Sequence, residues 1–255
     1  MSSYGLWLSA AGMKINEHRQ TLHANNLANA QTTGFKRDLA VVMQRRVEAR
    51  EEADGPLFSH PVLDGLSGGV NVQPSYHDFT QGPIESTGRP LDLAIRGDGF
   101  FSVSDGQARR YTRDGEFTVN TAGELALANE SGVWRVLDRA GAPVVIDPVA
   151  DEPTVSGNGT IRQGENVVAE LGLVAPDDPQ TLRRVGENLY ESTGGEMQPA
   201  GGTLVSGSRE ESNFNAIEGL ASMIEASRAY QLNATLIQLQ DAMTGQAVST
   251  LGRVA

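Results

Sequence analysis

The sequence predicts a mainly β protein in which an all-β central domain, built from hairpins, is inserted between N- and C-terminal amphipathic α-helices that form a coiled-coil-like core. Two observations predict this plan. Apolar residues recur at helical spacing near both ends of the 255-residue chain, and glycine turns separate short alternating segments in its middle. We therefore expect a discontinuous helical domain at 1–35 and 211–255, an extended linker with some β-structure at 36–80, and the β domain at 81–210.

The N-terminal helix is predicted from about Ser3 to Ala30. The residues of its apolar stripe recur in multiples of three and four and are Leu8, Ala11, Ile15 and Leu22. The turn-prone stretch QTTG follows, and we expect Gly34 to cap the helix there.

The C-terminal helix is predicted from about Asn213 to Leu251, roughly 55 to 60 Å long at about 1.5 Å per residue. Its stripe comprises Leu220, Met223, Ser227, Tyr230, Ala234, Ile237, Asp241, Thr244, Val248 and Leu251. A lone helix with one exposed apolar stripe is marginal in water, since most helical stability comes from packing. We therefore expect the two ends to pair and to share a bundle with further copies.

The middle of the chain predicts many short strands. RPLDLAIRGDGFFSVSDG alternates on both sides of Gly97–Gly99 and predicts a hairpin. YTRDGEFTVNTAGELALAN predicts a turn at Asp114–Gly115 and a second hairpin around Ala122–Gly123. Further strands are expected in VWRVL, PVVI, GTIR and VVAELGLVA.

The charge balance restricts the partners. With 20 basic and 32 acidic residues the net charge is −12, which argues against binding nucleic acid or an anionic membrane and favours protein partners. Lys14 and Lys36 are the lysines, so a GxxxxGK[ST] phosphate loop is excluded. There is no cysteine. The N-terminus lacks the pattern of a secretory signal, and no apolar run approaches about 18 residues, so we expect no direct membrane insertion and another route if the protein is exported.

The catalytic and metal-binding patterns are weak. Gly65–Gly69 matches GxSxG around Ser67, but VNVQPSY follows in place of the required helix. His18 and His23 sit about 140° apart on a helix and cannot share a metal ion unaided. His18 is expected to be a core or interface histidine with a satisfied hydrogen bond. Asp114, Glu116 and Asn120 fit a β-hairpin turn better than a calcium loop. We predict no enzyme activity and no catalytic, metal or cofactor-binding residue.

Four stretches together carry a family resemblance. ANNLANAQTTGFKRD, at 24–38, follows Ser9–Met13 (SAAGM). RPLDLAIRGDGFFSV and YTRDGEFTVNTAGELA lie within 89–126, and GSREESNFNAIEGLASMIEASRAYQLN spans 207–233. In this order they resemble the bacterial flagellar rod and hook proteins over essentially the whole chain. STGRPLDLAI and DAMTGQAVSTLGRV are more similar to proximal than to distal rod proteins. The family usually has Leu-Glu before Ser-Asn, where this chain has Arg209-Glu210-Glu211.

The resemblance implies a structural subunit of the flagellar basal-body rod, a helical tube that spans the periplasm and serves motility. The terminal helices would form the inner layer and the β domain the outer one. The implied partners are copies of the chain, other rod subunits and the type III export apparatus, which passes unfolded chains without a cleaved signal peptide. Alternatives are another axial protein of the same family (distal rod or hook), a secreted β-rich binding module with a helical stalk, and a hydrolase around Ser67.

In such a tube, asparagine side chains of the first helix could bond across to adjacent subunits and fix their register. Local capping within one chain is the alternative for Asn25, Asn26 and Asn29. The residues that we expect at the assembly interface are Leu8, Ala11, Ile15, Leu22, Asn26, Leu27, Asn29 and Phe35 near the start, and Ile217, Leu220, Ile224, Arg228, Tyr230, Ile237, Val248 and Leu251 near the end.

Overall fold

The computed structural model describes residues 2–44, 70–128 and 133–251, and the chain divides into two compact units. The first unit contains residues 1–28, 38–76 and 216–255, and the second contains 29–37 and 77–215. Part of the predicted linker and the whole GxSxG stretch with Ser67 lie outside the described residues.

The first unit is built on two long helices, α1 (Ser2–Ala28) and α2 (Ala216–Leu251). It also contains the short strands β1 (Asp38–Leu39), β2 (Val42–Gln44) and β3 (Val70–Val72). Strands β2 and β3 pair antiparallel, with Val42 opposite Val72. Strand β4 (Tyr76–His77) lies where the first unit gives way to the second.

The second unit is made of short strands. They are β5 (Ile84–Ser86), β6 (Leu93–Arg96), β7 (Phe100–Ser104), β8 (Arg109–Thr112), β9 (Phe117–Val119), β10 (Leu125–Leu127), β11 (Arg135–Val136), β12 (Pro153–Val155), β13 (Thr160–Gln163), β14 (Asn166–Glu170), β15 (Leu173–Ala175), β16 (Leu182–Gly186), β17 (Leu189–Ser192), β18 (Gln198–Pro199), β19 (Thr203–Ser206) and β20 (Ser208–Glu210). A 3₁₀ turn, Pro179–Thr181, precedes β16.

One sheet dominates this unit. Its strands run in the order β16-β17-β8-β7-β11-β10-β9, and β15 joins β7 to β18. Strands β12, β13 and β14 form a separate antiparallel sheet, while β19 pairs with β6 and β20 with β5. The apolar core is formed by buried side chains from several of these sheets, including Leu93, Phe101, Phe117, Ile161 and Leu204. Non-local pairing therefore organises the β unit.

The two predicted helices and the mainly β middle are confirmed. Helix α2 ends at the predicted Leu251, and the other three helix ends lie one to three residues from the predicted positions. The hairpin around Ala122–Gly123 is also confirmed, since Leu125 pairs with Val119. Strands β11, β13, β14 and β15 form at VWRVL, GTIR and VVAELGLVA, within one residue of the predicted stretches. The predicted strand PVVI contributes only isolated bridges. The coiled-coil-like arrangement of the helices stays a prediction.

Two predicted hairpins are wrong. Strand β6 does not pair with β7 across Gly97–Gly99, because it pairs with β19, more than one hundred residues later. No turn forms at Asp114–Gly115, and the strands on its two sides, β8 and β9, are separated in the sheet by β7, β11 and β10. An Asp-Gly pair favours a local reversal of the chain, but it does not decide which two strands then pair in the sheet.

Gly34 does not cap α1, since the helix ends at Ala28. Its backbone does adopt the left-handed conformation, with φ of 66°, but its N–H donates to the carbonyl of Glu210. None of the helices in the described residues is long and apolar enough to cross a membrane.

Candidate assembly surface

The two helices of the first unit contact each other through small and polar residues. A Cβ added at Gly5 would lie 2.8 Å from Gln240 Nε2, and one added at Gly12 would lie 2.8 Å from Asn233 Oδ1. The residue contacted on α2 is seven positions earlier in the chain for Gly12 than for Gly5, so the two helices run antiparallel. The glycines let polar side chains of α2 lie directly against the backbone of α1.

Asparagines on the two helices bond within their own helices. Asn16 Nδ2 donates to the carbonyl of Gly12 at 2.9 Å, and Asn233 Nδ2 donates to that of Ala229 at 2.8 Å. Each bond spans four residues and holds the amide group along the helix surface. Asn16 is buried and Asn233 half-buried. The contact between the helices is therefore polar as well as closely spaced.

Asn26 joins the end of α1 to the following strand of its own unit. Its Nδ2 donates to the carbonyl of Asp38 at 2.8 Å, and its Oδ1 accepts the N–H of Asp38 at 2.9 Å. The side chain is 1% exposed. The Asn26 amide thus bonds both backbone groups of Asp38, as a residue of a paired strand would. Asn26 therefore has a structural role inside its own chain.

The residues expected at the interface lie in three environments. Exposed side chains are Leu8, Ile217, Leu220, Ile224, Arg228 and Val248. Half-buried side chains are Ala11, Ile15, Leu22, Leu27, Asn29, Tyr230 and Ile237, while Asn26 and Phe35 are buried. The side chain of Leu251 lies outside the described residues. Phe35 belongs to the second unit, where the guanidinium of Arg184 lies 4.6 Å from its ring centroid.

Helix α2 has a second apolar stripe that was not among the predicted interface residues. It consists of Leu232, Leu236, Leu239 and Met243, at steps of four, three and four. These residues are 67%, 47%, 56% and 68% exposed. The predicted stripe follows Met223, Tyr230 and Ile237, which are half-buried on another face. A search for two apolar faces on one helix would have found both.

The exposed apolar side chains continue along the helix pair. Ile217, Leu220 and Ile224 precede the second stripe on α2, and Trp7 and Leu8 are exposed on α1. Monomeric soluble proteins rarely expose large contiguous apolar patches, and such patches mark interaction sites. The helix pair thus exposes apolar side chains on its outer surface, while glycines and amide side chains lie at two of its close internal contacts. Such an exposed surface is one that other subunits can cover.

The histidines of α1 do not form a metal site, and no group of three or more His, Asp or Glu residues within the described residues could hold a metal ion. The hydrogen bond expected for His18 is not made at Nε2, which is buried without a partner among the described residues. Desolvation, followed by the charge of Arg19, lowers the pKa of His23.

Comparison with known proteins identifies matches along the chain. Residues 94–163 match the model of the flagellar hook protein FlgE/F/G D1 domain, and residues 205–250 match that of the flagellar basal body rod FlgEFG protein C-terminal region. The flagellar basal-body rod protein FlgF of Caulobacter vibrioides is 38% identical over 91% of each chain. FlgG of Borreliella burgdorferi is 31% identical over 94% of this chain and 96% of the relative.

A third relative, FlgF of Mesorhizobium japonicum, is 28% identical over 97% of each chain. These matches run from end to end and include the helical and the β regions. They confirm the resemblance carried by the four sequence stretches. The chain therefore belongs to the flagellar basal-body rod protein family, and it is a structural rod subunit of the bacterial flagellum rather than an enzyme.

Proposed function

We propose that this rod subunit polymerises with copies of itself and with other rod subunits through the outward apolar faces of α1 and α2. The observation that carries the proposal is the exposed stripe Leu232, Leu236, Leu239 and Met243. Burial of apolar surface stabilises association by about 25 cal/mol per Å² before the entropic cost of binding is subtracted. A helical tube needs two different patches that meet head to tail without closing a ring.

The sixteen predicted interface residues have different roles in this proposal. The exposed ones contact neighbouring subunits directly, and the half-buried ones contact them at the edge of the helix pair. Asn26 and Phe35 act indirectly, by holding the backbone in place. Residues 1–35 and 211–255 then form the polymerisation domain, 36–80 a linker and 81–210 the outer β domain, with the helices at the tube core in a coiled-coil-like arrangement.

We further propose a proximal position in the rod and export through the flagellar type III apparatus without a cleaved signal peptide. The identities of 38% to a FlgF protein and 31% to a FlgG protein favour the FlgF type. Export of an unfolded chain agrees with the lack of cysteine, because no disulfide has to form before assembly.

Intact basal bodies provide the test. The chain should be found in the rod by immunogold labelling, at its proximal end, and deletion of either terminal helix should abolish flagellation. A secreted binding module with a helical stalk predicts instead that partner binding survives either deletion. Absence of the chain from purified basal bodies would refute the proposed place in the rod.

A direct role of Asn26 between subunits can be separated from its role within the chain. Asn26→Ala should lower the stability of the monomer and rod assembly together, because both bonds to Asp38 are intramolecular. Loss of assembly with unchanged monomer stability would show that the amide contacts another subunit.

A further inference from the structure

A buried charged cluster joins two segments of the second unit that are far apart in sequence. The side chains of Lys36 and Glu210 are 0% exposed, and Lys36 Nζ lies 2.5 Å from Glu210 Oε1. Lys36 Nζ also donates to the carbonyl of Thr80 at 2.7 Å. Arg113 Nη1 donates to Glu210 Oε2 at 3.2 Å, and the N–H of Gly82 donates to Oε1 at 2.8 Å. Glu210 therefore balances two buried cations.

Further hydrogen bonds, from the backbone and from the side chain of Asn213, connect the same two segments. The N–H of Gly34 donates to the carbonyl of Glu210 at 2.7 Å, and the N–H of Asn213 donates to the carbonyl of Phe35 at 3.3 Å. Asn213 Oδ1 accepts the N–H of Arg37 at 2.8 Å, while its Nδ2 donates to the carbonyl of Asp78 at 2.8 Å. We call residues 33–37 and 208–213, held by these bonds, the clasp.

The clasp and the strand segment beside it are closely packed within the chain. A Cβ at Gly34 would lie 2.5 Å from the carbonyl carbon of Arg113, and one at Gly82 would lie 2.1 Å from the carbonyl oxygen of Glu211. Phe35 is 2% exposed, and Arg184 covers its ring and donates to the carbonyl of Lys36. The residues of the TTGFK stretch thus find their partners inside one subunit.

We propose that the clasp closes within a single chain, before any contact with another subunit, and that its closure prepares α1 and α2 to pair. Residue 29 directly follows α1, and Asn215 directly precedes α2. Pairing two helices at opposite ends of a chain must close a loop that contains the whole middle of the chain, at an entropic cost that grows with loop length. When the clasp ties the two segments together, that loop is already closed.

The proposal does not depend on the place of the subunit in the rod, because every contact that carries it is intramolecular. It assigns the TTGFK and SREESN stretches to folding of the monomer. If these stretches instead served only as contacts between subunits, Lys36 would be covered only in the assembled rod.

The two lysines make the test internal to the chain. Lys14 is exposed on α1, and Lys36 is buried in the clasp. Dilute monomer is treated briefly with an amine-reactive reagent, and the modification of each lysine is measured by peptide mass spectrometry. Lys36 should react more than about tenfold more slowly than Lys14, since it reacts only when the clasp opens. A smaller difference would overturn the proposal.

Occlusion, rather than ionisation, would explain such protection. Burial lowers the pKa of Lys36, against the opposing influence of Glu210. A lower pKa leaves more of the reactive neutral amine at a given pH, so it would speed the reaction if the amine were accessible. A slow reaction at Lys36 therefore reports a closed clasp.

Glu210→Gln should raise the reaction rate of Lys36 towards that of Lys14, because it removes the charge that both buried cations share. Glu165→Gln, at an exposed position outside the clasp, is the matched control, and it should leave the rate unchanged. If Glu210→Gln prevents folding, Asn213→Ala opens the clasp and keeps the buried charges. Hydrogen exchange in β7 and β8 then verifies that the sheet persists. If Lys36 reacts as slowly in Asn213→Ala as in the parent, the proposed clasp is contradicted.

Helix pairing is measured with two labels. Because the chain has no cysteine, Leu8→Cys and Leu236→Cys can carry spin labels at positions that the helix register brings near each other. The parent should give a short, narrow distance distribution, and Asn213→Ala should broaden it while the sheet remains protected. An unchanged distribution in a chain with an open clasp would show that the clasp does not prepare the helices to pair.

Discussion

The carboxyl group of Asp114 makes the stability of the folded protein depend on pH. Asp114 has a pKa raised to about 6 by desolvation, with smaller contributions from the nearby Glu116 and Asp92 carboxylates, although its Oδ1 accepts the N–H of Glu116 at 3.1 Å. The folded state therefore holds this proton more tightly than the unfolded chain does. Its contribution to stability is complete below about pH 4 and is lost as the pH rises through about 6.

Asp114→Asn should stabilise the protein at pH 7.5 by on the order of 1 to 2 kcal/mol, because it removes a poorly solvated charge and keeps the acceptor for Glu116. The advantage should shrink towards pH 4, where the parent carboxyl is protonated. Urea unfolding at several pH values measures it. A difference that does not change with pH would contradict the assigned pKa.

Gly12 is one of two glycines of α1 whose missing side chain lets α2 come close, and it faces Asn233, whose amide is already bonded to Ala229. Gly12→Val should destabilise the pair by about 1 to 3 kcal/mol, because the added atoms overlap the amide. Thermal loss of helical circular dichroism is the measurement. Ala10→Val, at an exposed position of the same helix, is the matched control and should have little effect.

At the scale of elements, α2 has two faces with different tasks. One contains Asn233 and Gln240, which lie against the glycines of α1. The other exposes the stripe Leu232, Leu236, Leu239 and Met243. The first face contacts α1 within the chain, and in the proposed assembly the second face contacts other subunits.

Leu236→Ser with Leu239→Ser should therefore reduce polymerisation and leave monomer unfolding nearly unchanged. Both side chains are exposed in the monomer, Leu236 by 47% and Leu239 by 56%, and substitutions at exposed positions typically alter stability by only about 0.5 kcal/mol. Sedimentation at high protein concentration and swimming in soft agar measure the loss. Gln238→Ser, exposed on the same helix, is the control. Normal motility in the double variant would exclude this stripe from the interface.

At the scale of the whole molecule, the second unit is not a continuous piece of chain. It includes residues 29–37 together with 77–215, and Lys36 supplies one of the buried charges beside Glu210 and Arg113. A β domain limited to residues 81–210, as expected from sequence, would lack Lys36. Glu210 would then keep only one of its two buried cationic partners, Arg113.

A fragment of residues 29–215 should accordingly be more stable than a fragment of 38–215. The expected difference is about 3 kcal/mol or more, since the shorter fragment loses one member of a buried charged network and the packing of Phe35. Denaturant unfolding of the two purified fragments measures it. Equal stability would mean that residues 29–37 contribute nothing to the β unit.

Local pattern determined much of this protein. The 3-4 spacing predicted both helices, and the alternation around Ala122–Gly123 predicted a hairpin that forms, because each depends on residues close in sequence. The four family stretches predicted the rod protein family. Local pattern also placed apolar stripes on the helices, although it found only one of the two on α2.

Tertiary structure alone decided the pairing of distant segments. Strand β6 joins β19, and Lys36 meets Glu210, because burial of apolar surface and balance of charge act between segments that sequence spacing cannot relate. It also decided that Gly34 serves the clasp rather than the end of α1, and that Asn26 bonds to its own chain. The chemistry of a charged residue or a turn restricts which kinds of group it can pair with. The folded structure decides which of those groups lies close enough to do so.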